Sequence, residues 1–338
     1  VVVATGAEPV VPSAWKKFSR RILTSRNIFE QDDLPDRVAV IGLGPIGLEL
    51  GQALHRLGIT VEGFSLQETV GGITDPDVNA AAVEVLQAEF PIHLGAPAEL
   101  RVRGDTLEVT SGDNVFAAEK VLLAMGVSPT LADIGLDRTN VTFADDGRPA
   151  YRADTTCVED APIYIAGDVN GCRPILHEAL DEGYIAGTNA GRGRVDAFCR
   201  RVPLKIVFSD PQIAAAGRSF ANLRELGPVT GAVDFAHQSR AVMDRNNRGR
   251  LHVYLHPDTS RILGAEMACP EAEHLAHFIA LAVDRKLTAF DMLHAPFYHP
   301  TVEEGLRTAL RDAVKKLGPE KRDEELGLCD SHAEPPLC

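Results

Sequence analysis

Two short apolar runs separated by a helical repeat stand out in the first third of the chain. Arg37-Val38-Ala39-Val40-Ile41 is uninterrupted and β-branched, as a strand buried on both faces is, and it stops at Gly42. Behind it Ile46, Leu50, Ala53, Leu54 and Leu57 recur at the helical interval, with Pro45 suited to a first turn and Gly58 to a C-terminal stop. Ile59 to Phe64 repeats the strand pattern, so residues 37–65 read as one βαβ unit whose crossover helix forces its strands parallel. Helical periodicity returns over 77–89, strand-like pieces at 106–110 and 119–124 lead to Gly126, and 127–150 is rich in turn formers. The run Ile163-Tyr164-Ile165-Ala166 stops at Gly167-Asp168, ahead of a helix over 175–190. Past residue 203 the strand segments are separated. Leu251–Leu255 and Ile262–Met267 flank the turn-forming Pro257-Asp258-Thr259, which predicts an antiparallel sheet, and helices over 271–284 and 302–317 complete an α+β unit. Residues 13–35 read as polar and irregular, and the charged, proline-bearing segment after Gly318 is predicted mobile.

Composition narrows the classes. At 338 residues the chain holds two to three domains of roughly 150 residues, and its 45% apolar and 24% charged residues exclude a disordered or collagen-like polymer. Lys plus Arg number 34 against 48 Asp plus Glu, a net charge of −14 that disfavours nucleic acid and anionic membranes as partners. No apolar run is long enough to span a membrane and no signal-peptide pattern is present, which points to the cytoplasm. The cysteines at 157, 172, 199, 269, 329 and 338 form neither a CxxC nor a metal-ligand spacing, so free thiols and no metal are expected. The chain opens with Val1-Val2-Val3-Ala4-Thr5-Gly6, as though inside a strand, and reads as a fragment.

Gly42-x-Gly44-x-x-Gly47 lies between the first strand and its helix. The first glycine turns the chain, the second lets a pyrophosphate approach, and the third lets helix pack on strand, while the helix N-terminus offers amides to the phosphates. The acidic residue that would hold the ribose hydroxyls is missing. The strand ends at Ser65, Glu62 points to the other face, and no arginine stands nearby for a 2′-phosphate, so the lean is to NAD with NADP not excluded. Asp168, directly after a strand-ending glycine, can accept hydrogen bonds from a polyhydroxyl chain. Thr301-x-x-Glu304 ahead of an apolar helical run reads as a capping box, which explains Glu304 structurally but leaves His299 unexplained.

Val3-Ala4-Thr5-Gly6, the fingerprint at 42–47, Leu123-Ala124-Met125-Gly126-Val127-Ser128-Pro129, Ile165-Ala166-Gly167-Asp168, His177-x-Ala179-x-x-Glu182-Gly183 and His299-Pro300-Thr301-x-x-Glu304 follow one another in an order that resembles the pyridine nucleotide–disulfide oxidoreductases, most closely their dihydrolipoyl dehydrogenase branch. The resemblance, which runs to about residue 317, implies an α/β fold. A partial FAD-binding domain would occupy 1–12 and 150–198, a Rossmann-like NAD-binding domain 36–149, and an α+β dimerisation domain 199–338. It implies that Asp168 binds the FAD ribitol and that the amides around Ala179 face the flavin. Thr5, Gly6, Gly167, Leu176 and His177 belong to the same cofactor-binding set, Gly126 matches the family's second glycine turn near the nucleotide, and Gly42, Gly44, Pro45, Ile46, Gly47, Glu49 and Ser65 belong to the nicotinamide nucleotide. Glu49 would sit near the nicotinamide. The arginine that often follows the glycine matching Gly126 is Val127 here. His299 would be the acid–base for a dithiol such as dihydrolipoamide, its ring oriented by Glu304 and reaching across a homodimer interface, and a cis His299-Pro300 bond would aim it. The family's first FAD fingerprint and CxxxxC redox pair lie upstream of the motif matching Val1, so the chain alone is expected to be inactive. A transhydrogenase or NAD(P)H oxidase on the same scaffold, or an inactive nucleotide-binding and dimerising fragment, are the alternatives. Cys329 and Cys338 read as exposed thiols.

Overall fold

The computed structural model describes residues 1–318 apart from 133, 140, 145–146 and 159–160; the segment after Gly318, with Cys329 and Cys338, lies outside the described residues. Among the described residues the helices of twelve or more residues are α1 (Pro45–Arg56), α2 (Pro76–Gln87), α3 (Leu176–Arg192), α4 (Ala272–Asp284) and α5 (Glu303–Lys316). The chain divides into two units, each built from two separated segments.

The first unit comprises residues 1–33 and 121–201. Val2–Val3 pairs in parallel with Tyr164–Ile165, Ala7–Pro9 antiparallel with Val127–Pro129, and Ile22–Leu23 in parallel with Val121 and Leu122. These pairings bring Val121, Leu122 and Val127–Pro129, read above with the Rossmann-like segment, beside the N-terminal strands. Val3, Val141, Val158, Ile165 and Val169 form a small core. Residues 13–21, read as irregular, form a 3-10 stretch interrupted at Phe18; none of them is buried, so no apolar period announces it.

The second unit comprises 34–120 and the chain from 202 onward. Its parallel strands Arg37–Ile41, Thr60–Ser65 and Ile92–Leu94 are in register Ile41↔Phe64 and Ser65↔Leu94, with α1 as the predicted crossover between the first two. A three-stranded antiparallel meander, Ala98–Arg103, Thr106–Ser111 and Asn114–Ala118, follows. Only its middle strand is legible in sequence, because the flanking strands carry charge or small residues on their wet face and bury few side chains, among them Leu100 and Phe116. The predicted antiparallel sheet has five strands, in the order Leu204–Val207, Gln212–Gly217, Ile262–Cys269, Arg250–Leu255 and Val229–Asp234. Leu251, Val253, Met267, Leu275, Ile279, Leu306 and Leu310 form its core with α4 and α5. Helix α5 lies so close that a Cβ on Gly231 would stand 2.1 Å from the Ala309 carbonyl oxygen.

The two segments of this unit are joined by buried polar groups. Glu266, 1% exposed on the sheet, accepts hydrogen bonds from the Thr74 amide (2.7 Å) and hydroxyl (2.6 Å), the Asp75 amide (2.8 Å) and the Phe220 amide (3.0 Å). Asp75 caps α2 through the Asp77 and Val78 amides, and its other oxygen takes His252 Nδ1 at 2.8 Å and the Tyr254 hydroxyl at 2.9 Å. Among the described residues no helix is long and apolar enough to cross a membrane.

Candidate functional site

The fingerprint turn is assembled from backbone geometry. Gly42 adopts φ +96°, a left-handed conformation that favours glycine, and its amide donates to Phe64 O at 2.8 Å, fixing the turn to the second strand. Gly44 is the N-cap of α1 and carries no side-chain cap; a Cβ there would meet nothing within 4 Å, so a side chain would fill the open space in front of the helix. Pro45 has no N–H and the first intrahelical bond runs from the Leu48 amide to Gly44 O at 3.0 Å, which leaves the Ile46 and Gly47 amides directed out of the helix end. That uncapped, open N-terminus fits a pyrophosphate. Sequence reading left Gly51 and Gly63 unassigned, yet a Cβ on Gly51 would lie 3.4 Å from Val40 Cγ2 and one on Gly63 2.9 Å from Leu43 Cδ2. Close packing around the turn therefore needs these two glycines as well.

Ser65 ends its strand buried, and its hydroxyl accepts the Gln67 amide at 3.1 Å. Glu62 is drawn away to His93 Nε2 at 2.9 Å, in keeping with its opposite position in the pleat. Glu49 is half-buried, and its Oε1 accepts the Phe208 amide at 2.9 Å.

In the first unit Gly167 (φ +79°) precedes a short 3-10 turn, Asp168–Asn170, with Asp168 half-buried at its start. Glu182 of α3, 1% exposed, braces this turn at both ends through the Gly167 amide (2.8 Å) and Asn170 Nδ2 (2.6 Å). Arg200 Nη2 reaches the same carboxylate at 3.0 Å and Glu178 at 2.5 Å, and Arg173 pairs with Glu178 at 2.8 Å. Burial pushes the Glu178 carboxyl up, but the two guanidiniums outweigh it and hold the group below the usual carboxylate range. Sequence reading missed Arg200, eighteen residues from its partner Glu182 and outside every motif.

One expectation about α3 needs correction. The Ala179 amide does not face outward; it donates to Ile175 O at 3.0 Å and closes the first helical turn. The amides before that bond belong to Leu176, His177 and Glu178, with Leu176 and His177 exposed and Ile175 giving no side-chain cap. This helix end and the half-buried Asp168 fit a polyhydroxyl cofactor with an electron-rich edge. Thr5 donates its hydroxyl to Thr130 O, Gly6 O accepts the Thr130 amide at 2.9 Å, and Gly126 (φ +92°) accepts the Val10 amide at 3.1 Å. All three lie along the paired segments 5–10 and 126–130.

His299 and Glu304 do meet. His299 Nδ1 stands 2.9 Å from Glu304 Oε2 and 3.2 Å from Oε1, with the ring 69% exposed and the His299–Pro300 bond cis. The expected capping box does not form. Glu304 accepts the Thr301 amide at 3.3 Å, but the Thr301 hydroxyl turns back to Tyr298 O at 2.9 Å, and the N-cap of α5 is Val302 without a side-chain cap. Thr301 is thus one residue too early to serve as cap, and the Glu304 carboxylate, in the first turn of α5, is shared between the ring and one loop amide. With Nδ1 committed to the carboxylate, Nε2 is the nitrogen available to exchange a proton.

Residues 1–185 match the family described as pyridine nucleotide-disulphide oxidoreductase, and residues 204–310 match the dimerisation domain of the same family. The dihydrolipoyl dehydrogenase of Haloferax volcanii is 29% identical over 324 residues, covering 93% of this chain and 68% of that protein. The mitochondrial dihydrolipoyl dehydrogenase of Mus musculus is 29% identical over 91% of this chain and 63% of its own length, and the mercuric reductase of Shigella flexneri 29% identical over 94% and 57%. The chain thus spans between just over half and about two thirds of these relatives. The solved structure of LpdA from Mycobacterium tuberculosis superposes with a TM-score of 0.80 at 25% identity, over 92% of this chain and 69% of that one. FAD and NAD(H) are the family's cofactors, and its dihydrolipoyl dehydrogenases are enzymes. With its motifs in order and the family match covering more than half its length, the chain belongs to the pyridine nucleotide-disulphide oxidoreductases.

Proposed function

We propose that the chain works in a cytoplasmic, homodimeric flavoprotein that oxidises a dithiol such as dihydrolipoamide with NAD as acceptor. The observation that carries this reading is the His299–Glu304 pair. A carboxylate on Nδ1 fixes the tautomer and stabilises the imidazolium, so exposed Nε2 can take the proton of a thiol and return it. In the same reading Asp168 and the Leu176–Glu178 amides hold FAD, and the α1 turn with Glu49 and Ser65 holds the nicotinamide nucleotide. Residues 1–12 with 150–198, 36–149 and 199–338 serve as flavin, nicotinamide and dimerisation domains. When bound, the two cofactors would supply the two-electron transfer that no side chain here provides.

Nucleotide choice tests the reading on the chain itself. The Ser65 hydroxyl is engaged with the Gln67 amide, and neither a repelling acid nor a welcoming arginine ends the strand, so discrimination is slight with a lean to NAD. In a calorimetric titration NADH should bind at least as tightly as NADPH. A tenfold preference for NADPH overturns the NAD assignment, and no binding of either overturns the dinucleotide reading.

A further inference from the structure

One face of α1 holds a clasp that its glycine motif does not predict. Glu49, Gln52 and Arg56, at spacings of three and four, line one side of the helix. Each grips the segment that follows strand Leu204–Val207. Glu49 Oε1 takes the Phe208 amide at 2.9 Å, Gln52 exchanges two 2.8 Å bonds with the backbone of Asp210, and Arg56 pairs with the Asp210 carboxylate at 2.9 Å. The order of contacts runs the segment along α1, with Asp210 toward the C-terminal end and Phe208 beside the first turns. Glu49, which holds the Phe208 amide, is one turn from Ile46, itself 37% exposed, and Phe208 is 62% exposed. An aromatic residue whose backbone amide is held on a nucleotide-binding helix and whose side chain is left open offers a stacking surface. The adenosine half of a bound dinucleotide belongs at the end of the second strand, at Ser65. Ser65 is bordered by Gln67 and Gly95, and the clasp residues hydrogen-bond to neither of these.

We propose that Phe208 is a specificity-determining residue of this site, its ring forming the apolar face against which the nicotinamide ring of the dinucleotide lies. The proposal rests on the nicotinamide nucleotide reading of the fingerprint turn. It differs from that reading in predicting which half of the ligand Phe208 senses.

Calorimetric titration of the full chain with NADH and with ADP-ribose, which lacks the nicotinamide, separates the two. Wild type should bind NADH more tightly than ADP-ribose. Phe208→Ala should weaken NADH about tenfold, the scale of one lost aromatic contact, and leave ADP-ribose unchanged; the latter also reports an intact fold. Phe208→Tyr should restore NADH binding. Equal loss of both ligands in Phe208→Ala, no loss of either, or equal affinity of wild type for both overturns the proposal while leaving the dinucleotide site standing. Wild type binding neither ligand overturns the site and the proposal together.

Discussion

In a flavin-loaded dimer that turns over dihydrolipoamide, His299→Gln should lower turnover by ~10²–10⁴-fold, the usual contribution of a positioned proton-transfer group. Glutamine keeps a hydrogen-bonding side chain beside Glu304 but cannot take a proton from a thiol. Dimerisation and flavin content should be unchanged, since the ring is 69% exposed and packs in no core. Glu304→Gln should cost less in turnover. It leaves an oxygen for the Thr301 amide and removes only the charge beside the ring. Because the Thr301 hydroxyl does not cap α5, Glu304→Ala has no full capping box to lose; it forfeits one loop hydrogen bond and an acidic group near a helix N-terminus, together about 1 kcal/mol. Steady-state kinetics with dihydrolipoamide decide the matter. Full turnover in His299→Gln would reduce the pair to a loop brace.

Asp75→Ala should destabilise the protein by ~3–5 kcal/mol, from stranding several buried hydrogen-bonding groups at ~1–3 kcal/mol each. The carboxylate accepts four hydrogen bonds, from two α2 amides, His252 and Tyr254. Its loss strands a ring nitrogen and a hydroxyl on side chains 5% and 0% exposed. Burial pushes the Asp75 carboxyl up, but His252, Tyr254 and the Val78 amide together hold it below the ordinary aspartate range. A folded-state value below the unfolded one, about 3.9, contributes stability that is fully present above that pH and lost as pH falls through the folded value. Urea unfolding at pH 7 and at stepwise lower pH should show the gap between wild type and Asp75→Asn shrinking below about pH 4. A gap constant from pH 7 to pH 3, or an Asp75→Ala chain as resistant to urea as wild type, would show that the cluster is not a stabilising junction.

The elements legible in the sequence are those whose burial is one-sided or total over a long enough run. Arg37–Ile41 is buried from its second residue onward, and the helical interval of apolar residues places α1 to within a residue or two, although the face it buries is Gly47, Leu48, Gly51, Gln52 and Leu54, while Ile46, Ala53 and Leu57 of that repeat are exposed. Strand Asn114–Ala118 escaped because only Phe116 and Ala118 are buried, two positions too few to make a period. The site divides in the same way. The meeting of His299 and Glu304, five residues apart, is implied by the resemblance to the family, whose motif holds both. Glu182 with Arg200 and Glu49 with Phe208 are joined only by the folded chain, 18 and 159 residues apart, and nothing in local spacing marks them. The capping box misled because Thr301 has the right spacing to Glu304 but the helix begins later, at Glu303.

The Glu266 junction carries a consequence for how the protein is made. The loop at Thr74 and Asp75 emerges from the ribosome some 190 residues before the carboxylate that holds it. At ~5–20 residues per second that is an interval of roughly 10–40 s, in which α2 has its own cap but the Thr74 and Asp75 amides ahead of it lack their acceptor. The βαβ segment should therefore remain loosely tethered at one edge until the antiparallel sheet is synthesised and closes over it. Ribosome-stalled chains ending before and after residue 266 would differ in protease resistance at that loop, and the second unit would reach its final form only once the sheet strand that carries Glu266 has been made.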